Sequence, residues 1–135
     1  MGTLILAIDP GSQKCGLAVV DEAARILRKG IIHSEALLDE VQQVLEQYPI
    51  AVIILGDRTT SKRVYELLKP FGKDICLVDE DRSSMEGRQR YLRENSKGWA
   101  RLLPIGLRVP DRPFDDYVAV ILAERFLARQ NCDKI

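Results

Sequence analysis

A chain of 135 residues is the size of one domain and can bury a core without disulfide or metal staples. Hydrophobic residues make up 46% and charged residues 30%, the balance of a folded, soluble protein and not of a disordered one. The 20 bases match the 20 acids, so no global field advertises a polyanionic partner, and a nucleic-acid role requires segregated charge.

No apolar run approaches the roughly 20 residues that span a bilayer, so no membrane partner is expected. The start "MGTLILAIDPGS" lacks the basic opening and small-residue cleavage site of a signal peptide, which implies a cytoplasmic protein. Cys15, Cys76 and Cys132 are dispersed, without a Cys-x-x-Cys pair, and read as reduced thiols filling the core. A single histidine, His33, leaves little material for a histidine triad or a histidine-rich zinc site.

In chain order, "TLILAID" (3–9) is β-branched, apolar and stopped by Pro10-Gly11, as a buried strand should be. "CGLAVVD" (15–21) returns through the hairpin-type connection "PGSQK". "RILRKGIIHS" (25–34) alternates as a third strand, with Gly30 as a candidate bulge. Ser34 is placed to cap a helix running to about Tyr48, with Leu37, Leu38, Val41, Val44 and Leu45 on one face. "IAVIILG" (50–56) is a continuous apolar run, which suits a central strand covered on both faces.

"TTSKRVYELLKPFG" (59–72) is a helix closed near Pro70-Phe71-Gly72. "DICLVDE" (74–80) is a fifth strand ending in acids. "SSMEGRQRYLREN" (83–95) opens with Ser83 and Glu86 at capping-box spacing. The Pro- and Gly-punctuated 96–113 reads as loop, and "FDDYVAVILAERFLARQ" (114–130) as a terminal helix. Strands that alternate with helices pair in parallel. The expected architecture is a single α/β domain over 1–135: a mixed five-stranded sheet, three antiparallel strands then two parallel, with helices on both faces.

Such sheets gather ligands along the carboxyl ends of their strands. Asp9 lies beside that edge, Glu80 ends the fifth strand, and Asp115 opens the last helix. Each has an ordinary alternative: a turn residue for Asp9, a solvated loop for Glu80, a helix cap for Asp115. Together, three separate segments bring an acid to one place. Mg²⁺ (or Mn²⁺) takes carboxylate oxygens, and a two-ion site can activate water for phosphodiester cleavage.

"LAIDPGSQKCGLAVVD", "VDEDRSSMEGRQRYL" and "DDYVAVILAERFL" resemble, in order and at compatible spacing, three segments of the YqgF family of RNase H-like proteins. That family is related to the RuvC Holliday-junction resolvases, and the likeness spans nearly the whole chain. It implies an RNase H-like fold and a nuclease site in which Asp9, Glu80 and Asp115 are catalytic and hold the metal. The implied activity is metal-dependent phosphodiester hydrolysis of structured RNA or branched DNA, as in pre-16S ribosomal RNA processing or junction resolution.

Two segments depart from the family pattern: "DEDR" inserts Asp81 before Arg82, and "GDRTTS" stands where the family has Gly-Leu-Pro. Asp57 is therefore a further candidate ligand, set against a turn or capping role. Asp116 competes with Asp115, because helix neighbours point about 100° apart; counting back from Ala119 favours Asp115. The same departures suit an alternative, a catalytically weakened RNase H-fold module that only binds nucleic acid. The first hairpin also resembles the phosphate-binding hairpin of actin and sugar kinases, whose second large domain has no room in this length.

Charge is segregated after all. Between residues 82 and 112 stand eight bases, among them Arg82, Arg88, Lys97 and Arg101, against Glu86, Glu94 and Asp111. Trp99 sits among them, suited to stack on an unpaired base, with a solvated helix face and a loop-packed Trp as the alternative. Lys14 and Arg58 flank the acid edge as further phosphate contacts. A monomer or a homodimer is compatible with this sequence; Tyr117 and Val118 on the last helix are candidate dimer residues.

Overall fold

In the computed structural model the apolar runs pair side by side as strands of one sheet. The structure describes residues 3–56, 61–78, 83–95, 115–129 and 133–134, without the side chains of 83, 84, 115, 129, 133 and 134. The expected strands are β1 (Leu4–Asp9), β2 (Lys14–Asp21), β3 (Ile26–His33), β4 (Ile50–Gly56) and β5 (Asp74–Val78). β1, β2 and β3 form an antiparallel meander, and β4 and β5 add in parallel beside β1. A sixth strand, β6 (Asp133–Lys134), pairs antiparallel with β5, so the order is β3-β2-β1-β4-β5-β6. Two residues carry no periodicity, which is why the sequence does not announce β6.

Alternation along the strands divides the core. Leu6, Ile8, Leu17 and Val19 face Leu37, Val41 and Val44 of α1 (Leu37–Gln47) and Val64 and Leu68 of α2 (Ser61–Leu68). Ile5, Ala7, Ala18, Val20 and Ile54 face Ala119, Val120, Leu122 and Ala123 of α4 (Asp115–Arg129). Alanines on both sides let α4 lie close on the sheet. α3 (Ser83–Asn95) does not reach the sheet core and packs on α4 through Tyr91, Leu92 and Tyr117. A Cβ on Gly87 would stand 2.8 Å from Val118 Cγ2 and 3.1 Å from the Val118 nitrogen, so only glycine permits this crossing.

Four expectations are corrected. The ladder irregularity of β3 falls at Leu27, between the pairs Val19–Arg28 and Val20–Ile26, and not at Gly30, which pairs regularly with Leu17. Ser34 caps no helix through its side chain: it opens a 3₁₀ turn (Ser34–Ala36), and the N-cap of α1 is Ala36. Tyr117 and Val118 are buried against α3 and the sheet, so neither offers a dimer surface. Cys76 is disulfide-bonded, while Cys15 is a buried free thiol. β6 crosses β5 at Cys76, bringing the chain's end alongside in a way cysteine spacing does not reveal.

Candidate functional site

Asp9 is the last residue of β1 and shares a face with Ile5 and Ala7, which belong to the cluster under α4. Its carboxyl group is therefore carried to the carboxyl edge of the sheet on the α4 side. The residue is 5% exposed, and Oδ1 is sealed from solvent. Its antiparallel neighbour is Gly16. One step beyond the Ile8–Leu55 pair, the parallel ladder brings Gly56 to its other side. The acid thus stands between two residues without side chains.

The turn after Asp9 is held in place. The Ser34 hydroxyl donates to the Gly11 carbonyl at 2.9 Å, and the Ser34 amide donates to the Gln13 carbonyl at 2.8 Å. The Cys15 thiol lies 3.5 Å from the same hydroxyl. A Cβ on Gly11 would fall 2.2 Å from the Lys14 carbonyl oxygen, so the turn demands glycine there. Ser34 therefore serves the loop behind Asp9, where the sequence suggested a helix cap. Lys14 opens β2 exposed, and alternation with Gly16 and Ala18 puts it on Asp9's face.

Asp116, in the first turn of α4, is 3% exposed. Its Oδ1 accepts from the Tyr117 amide at 3.0 Å, and its Oδ2 lies 3.4 Å from Lys29 Nζ. The Lys29 ammonium also stands 4.3 Å from the centroid of the Tyr117 ring. Tyr117 in turn meets Tyr91 edge-on at 5.5 Å, and Asn95 Nδ2 donates to the Tyr117 hydroxyl at 3.2 Å. A lysine on β3 thus reaches the start of α4, and α4 is tied on to α3. The sequence reading missed Lys29: its only signal is a charge in an inward-facing row, and lysine is ordinary on an edge strand.

Part of the basic stretch is engaged within the protein. Arg90 pairs with Glu124 at 2.5 Å and with Glu94 at 3.0 Å, and Glu86 accepts from Arg125 at 3.0 Å. Arg88 is half-buried on α3. Of the expected site residues, Asp57, Arg58, Glu80, Arg82, Lys97, Trp99, Arg101 and the side chain of Asp115 lie outside the described residues. Among the described residues no three histidines, cysteines or acids form a metal-holding group. The donor described at this edge, Asp9, is a carboxylate, the oxygen chemistry that hard divalent cations prefer.

No family model matches the chain. The "Putative pre-16S rRNA nuclease" of Alcanivorax borkumensis is 26% identical over 141 residues, covering 93% of this chain and 96% of that protein. Its namesake in Xanthomonas oryzae pv. oryzae is 26% identical, covering 92% and 86%. The "Uncharacterized protein YdcI" of Bacillus subtilis is 24% identical over 92% of this chain, which spans only 17% of that protein's length. Among solved structures, Thermus thermophilus RuvC in complex with Holliday junction substrate matches with a TM-score of 0.63 at 14% identity. That match covers 98% of this chain and 99% of RuvC.

The fold is the RNase H-like fold of RuvC, with a mixed sheet and helices on both faces. In sequence the chain is similar to the proteins named putative pre-16S rRNA nuclease, at 26% identity over nearly its whole length.

Proposed function

We propose that this chain, as a single domain over 1–135, is a Mg²⁺- or Mn²⁺-dependent endonuclease for structured RNA or branched DNA, working in the cytoplasm. The observation that carries the reading is the Asp9 carboxylate, buried at the carboxyl edge of a RuvC-like sheet on the face that α4 covers. A charge taken out of water is costly, and a site for a cation offsets that cost. The names of the sequence relatives point to pre-16S ribosomal RNA as the first substrate to try.

Asp9, Glu80 and Asp115 would hold the metal, with Asp57 as a fourth candidate. When bound, divalent ions activate a water and stabilise the leaving oxygen of a phosphodiester. The chain's own contribution is orientation: the Ser34 clamp fixes the turn after Asp9, and the α3–α4 crossing at Gly87 holds the two helices together. Lys14, exposed on Asp9's face, would take a substrate phosphate, together with Arg58, Arg82, Arg88, Lys97 and Arg101, and Trp99 would stack on a base.

The test incubates the protein and Asp9→Asn with labelled ribosomal precursor, single-stranded RNA and a four-way junction, with Mg²⁺ and with chelator. Cleavage of one substrate by the wild type alone, stopped by chelator, is expected. Equal cleavage by Asp9→Asn sinks the assignment. The departures at "DEDR" and "GDRTTS" favour a second reading, a module that binds nucleic acid without cutting it. Substrate retention without cleavage in every arm would select it.

A further inference from the structure

Resting on the nuclease reading above for its substrate class, we propose that Lys14 and His33 form a phosphate-binding pair that holds a nucleic-acid strand beside Asp9. β1 stops at the Asp9–Gly16 pair, whereas β2 and β3 run on together through Cys15–Ile32 and Lys14–His33. The two strands thus project as a shelf past the end of β1. Cross-strand partners point to one side, and side chains alternate along a strand. Cys15 turns into the core under α1, so Lys14 and His33 stand on the opposite side, the one that carries Asp9. Both are exposed.

With strands about 4.8 Å apart and a rise of about 3.4 Å per residue, the Lys14 Cα falls about 8 Å from that of Asp9, and the His33 Cα about 12 Å. Gly16, between Asp9 and Ile31, keeps the row from the acid to the rim of β3 low. The shelf is firmly mounted: the Ser34 amide and hydroxyl donate to the Gln13 and Gly11 carbonyls, which ties the residue after His33 to the turn before Lys14. Lysine supplies charge, and an imidazole offers a ring N–H in either protonation state. Lys29, two residues before His33 and on the same side, is paired with Asp116. Neither Lys14 nor His33 is in a salt bridge among the described residues. A strand with repeated phosphates can place one group at Asp9 and a neighbouring one on this pair.

Fluorescence anisotropy with labelled single-stranded RNA and a labelled four-way DNA junction, with Ca²⁺ and separately with chelator, tests this on the full chain. Folding of each variant is checked by thermal melting. Lys14→Ala should weaken binding on the order of tenfold and flatten the salt dependence on single-stranded RNA by a slope of about 0.7, the share of one phosphate. His33→Ala should weaken binding on the order of threefold, and His33→Lys, which keeps a donor, should restore it. Lys73→Ala removes the same charge at the opposite edge of the sheet, just before β5, and should bind as the wild type does.

Unchanged affinity in Lys14→Ala/His33→Ala overturns the proposal, as does an equal loss in Lys73→Ala. A wild type that binds neither probe also overturns it, and leaves the shelf to an acidic protein surface. A wild type that binds, responds to these variants and cleaves no substrate is a different result: it supports the phosphate pair and removes the nuclease reading alone.

Discussion

Gly87 of α3 and Val118 of α4 touch with no room for a methyl group between them: an added Cβ would come within 2.8 Å of Val118 Cγ2 and 3.2 Å of its Cα. The two helices can cross this closely only because one position is glycine. Gly87→Ala gains up to about 1 kcal/mol of helix propensity. It incurs an overpacking cost of about 1–3 kcal/mol against backbone that cannot rotate away. A net loss of stability is expected, read as a lower urea midpoint with an unchanged slope.

Gly30 is the opposite case. An added Cβ there meets nothing within 4 Å, and the residue lines a cavity of about 230 Å³ with Leu17, Arg28 and Val44. Gly30→Ala should stabilise the protein by about 0.5–1 kcal/mol by restricting the unfolded chain. Thermal melting of the two alanine variants side by side should give shifts of opposite sign.

Ser34→Ala removes the hydroxyl that the Gly11 carbonyl accepts from. The expected loss is about 0.5–1.5 kcal/mol, the net worth of one internal hydrogen bond. Faster amide hydrogen exchange should appear in residues 11–14 but not in α4. A uniform change across the protein would contradict a local clamp.

Metal binding should be visible as stability. A cation that binds only the native state at about 100 times its Kd raises unfolding free energy by about 2.7 kcal/mol. Mn²⁺ should therefore raise the melting temperature of the wild type and leave that of Asp9→Asn unmoved. A matching rise in both proteins would mean the ion binds elsewhere.

Asp21 ends β2 and organises the turn into β3. Its carboxyl group is held below the ordinary value of 3.8, chiefly by the Arg25 amide, working against the cost of burial. The Arg25 guanidinium and the Ala23 amide add to the effect. A folded-state value below the unfolded one contributes stability above the unfolded pKa, and the contribution fades as pH falls through the folded one. Wild type should exceed Asp21→Asn in urea midpoint at about pH 6, and the gap should close towards about pH 2.

What was legible in the sequence were features that local chemistry decides. Unbroken apolar runs located β1, β2, β4 and β5, and their alternation with helices gave the parallel half of the sheet. Asp9 announced itself because an acid, a proline and a glycine adjoin at a strand end. Contacts distant in sequence stayed hidden. Ser34 looked like a cap because its partner Gly11 lies 23 residues back, and Lys29 looked like an edge lysine because Asp116 lies 87 residues on. Arg90 counted towards a basic patch until Glu124, on another helix, claimed it.

The outer rim of β3 has one more consequence. Leu27 interrupts the regular ladder there, and Arg28 and Lys29 follow it immediately. A foreign strand docking along that rim would meet a kinked backbone, with Arg28 and Lys29 held by Glu40 and Asp116, poor ground for the repetitive bonding that builds fibres. Self-association of this protein should therefore not extend the sheet from the β3 rim.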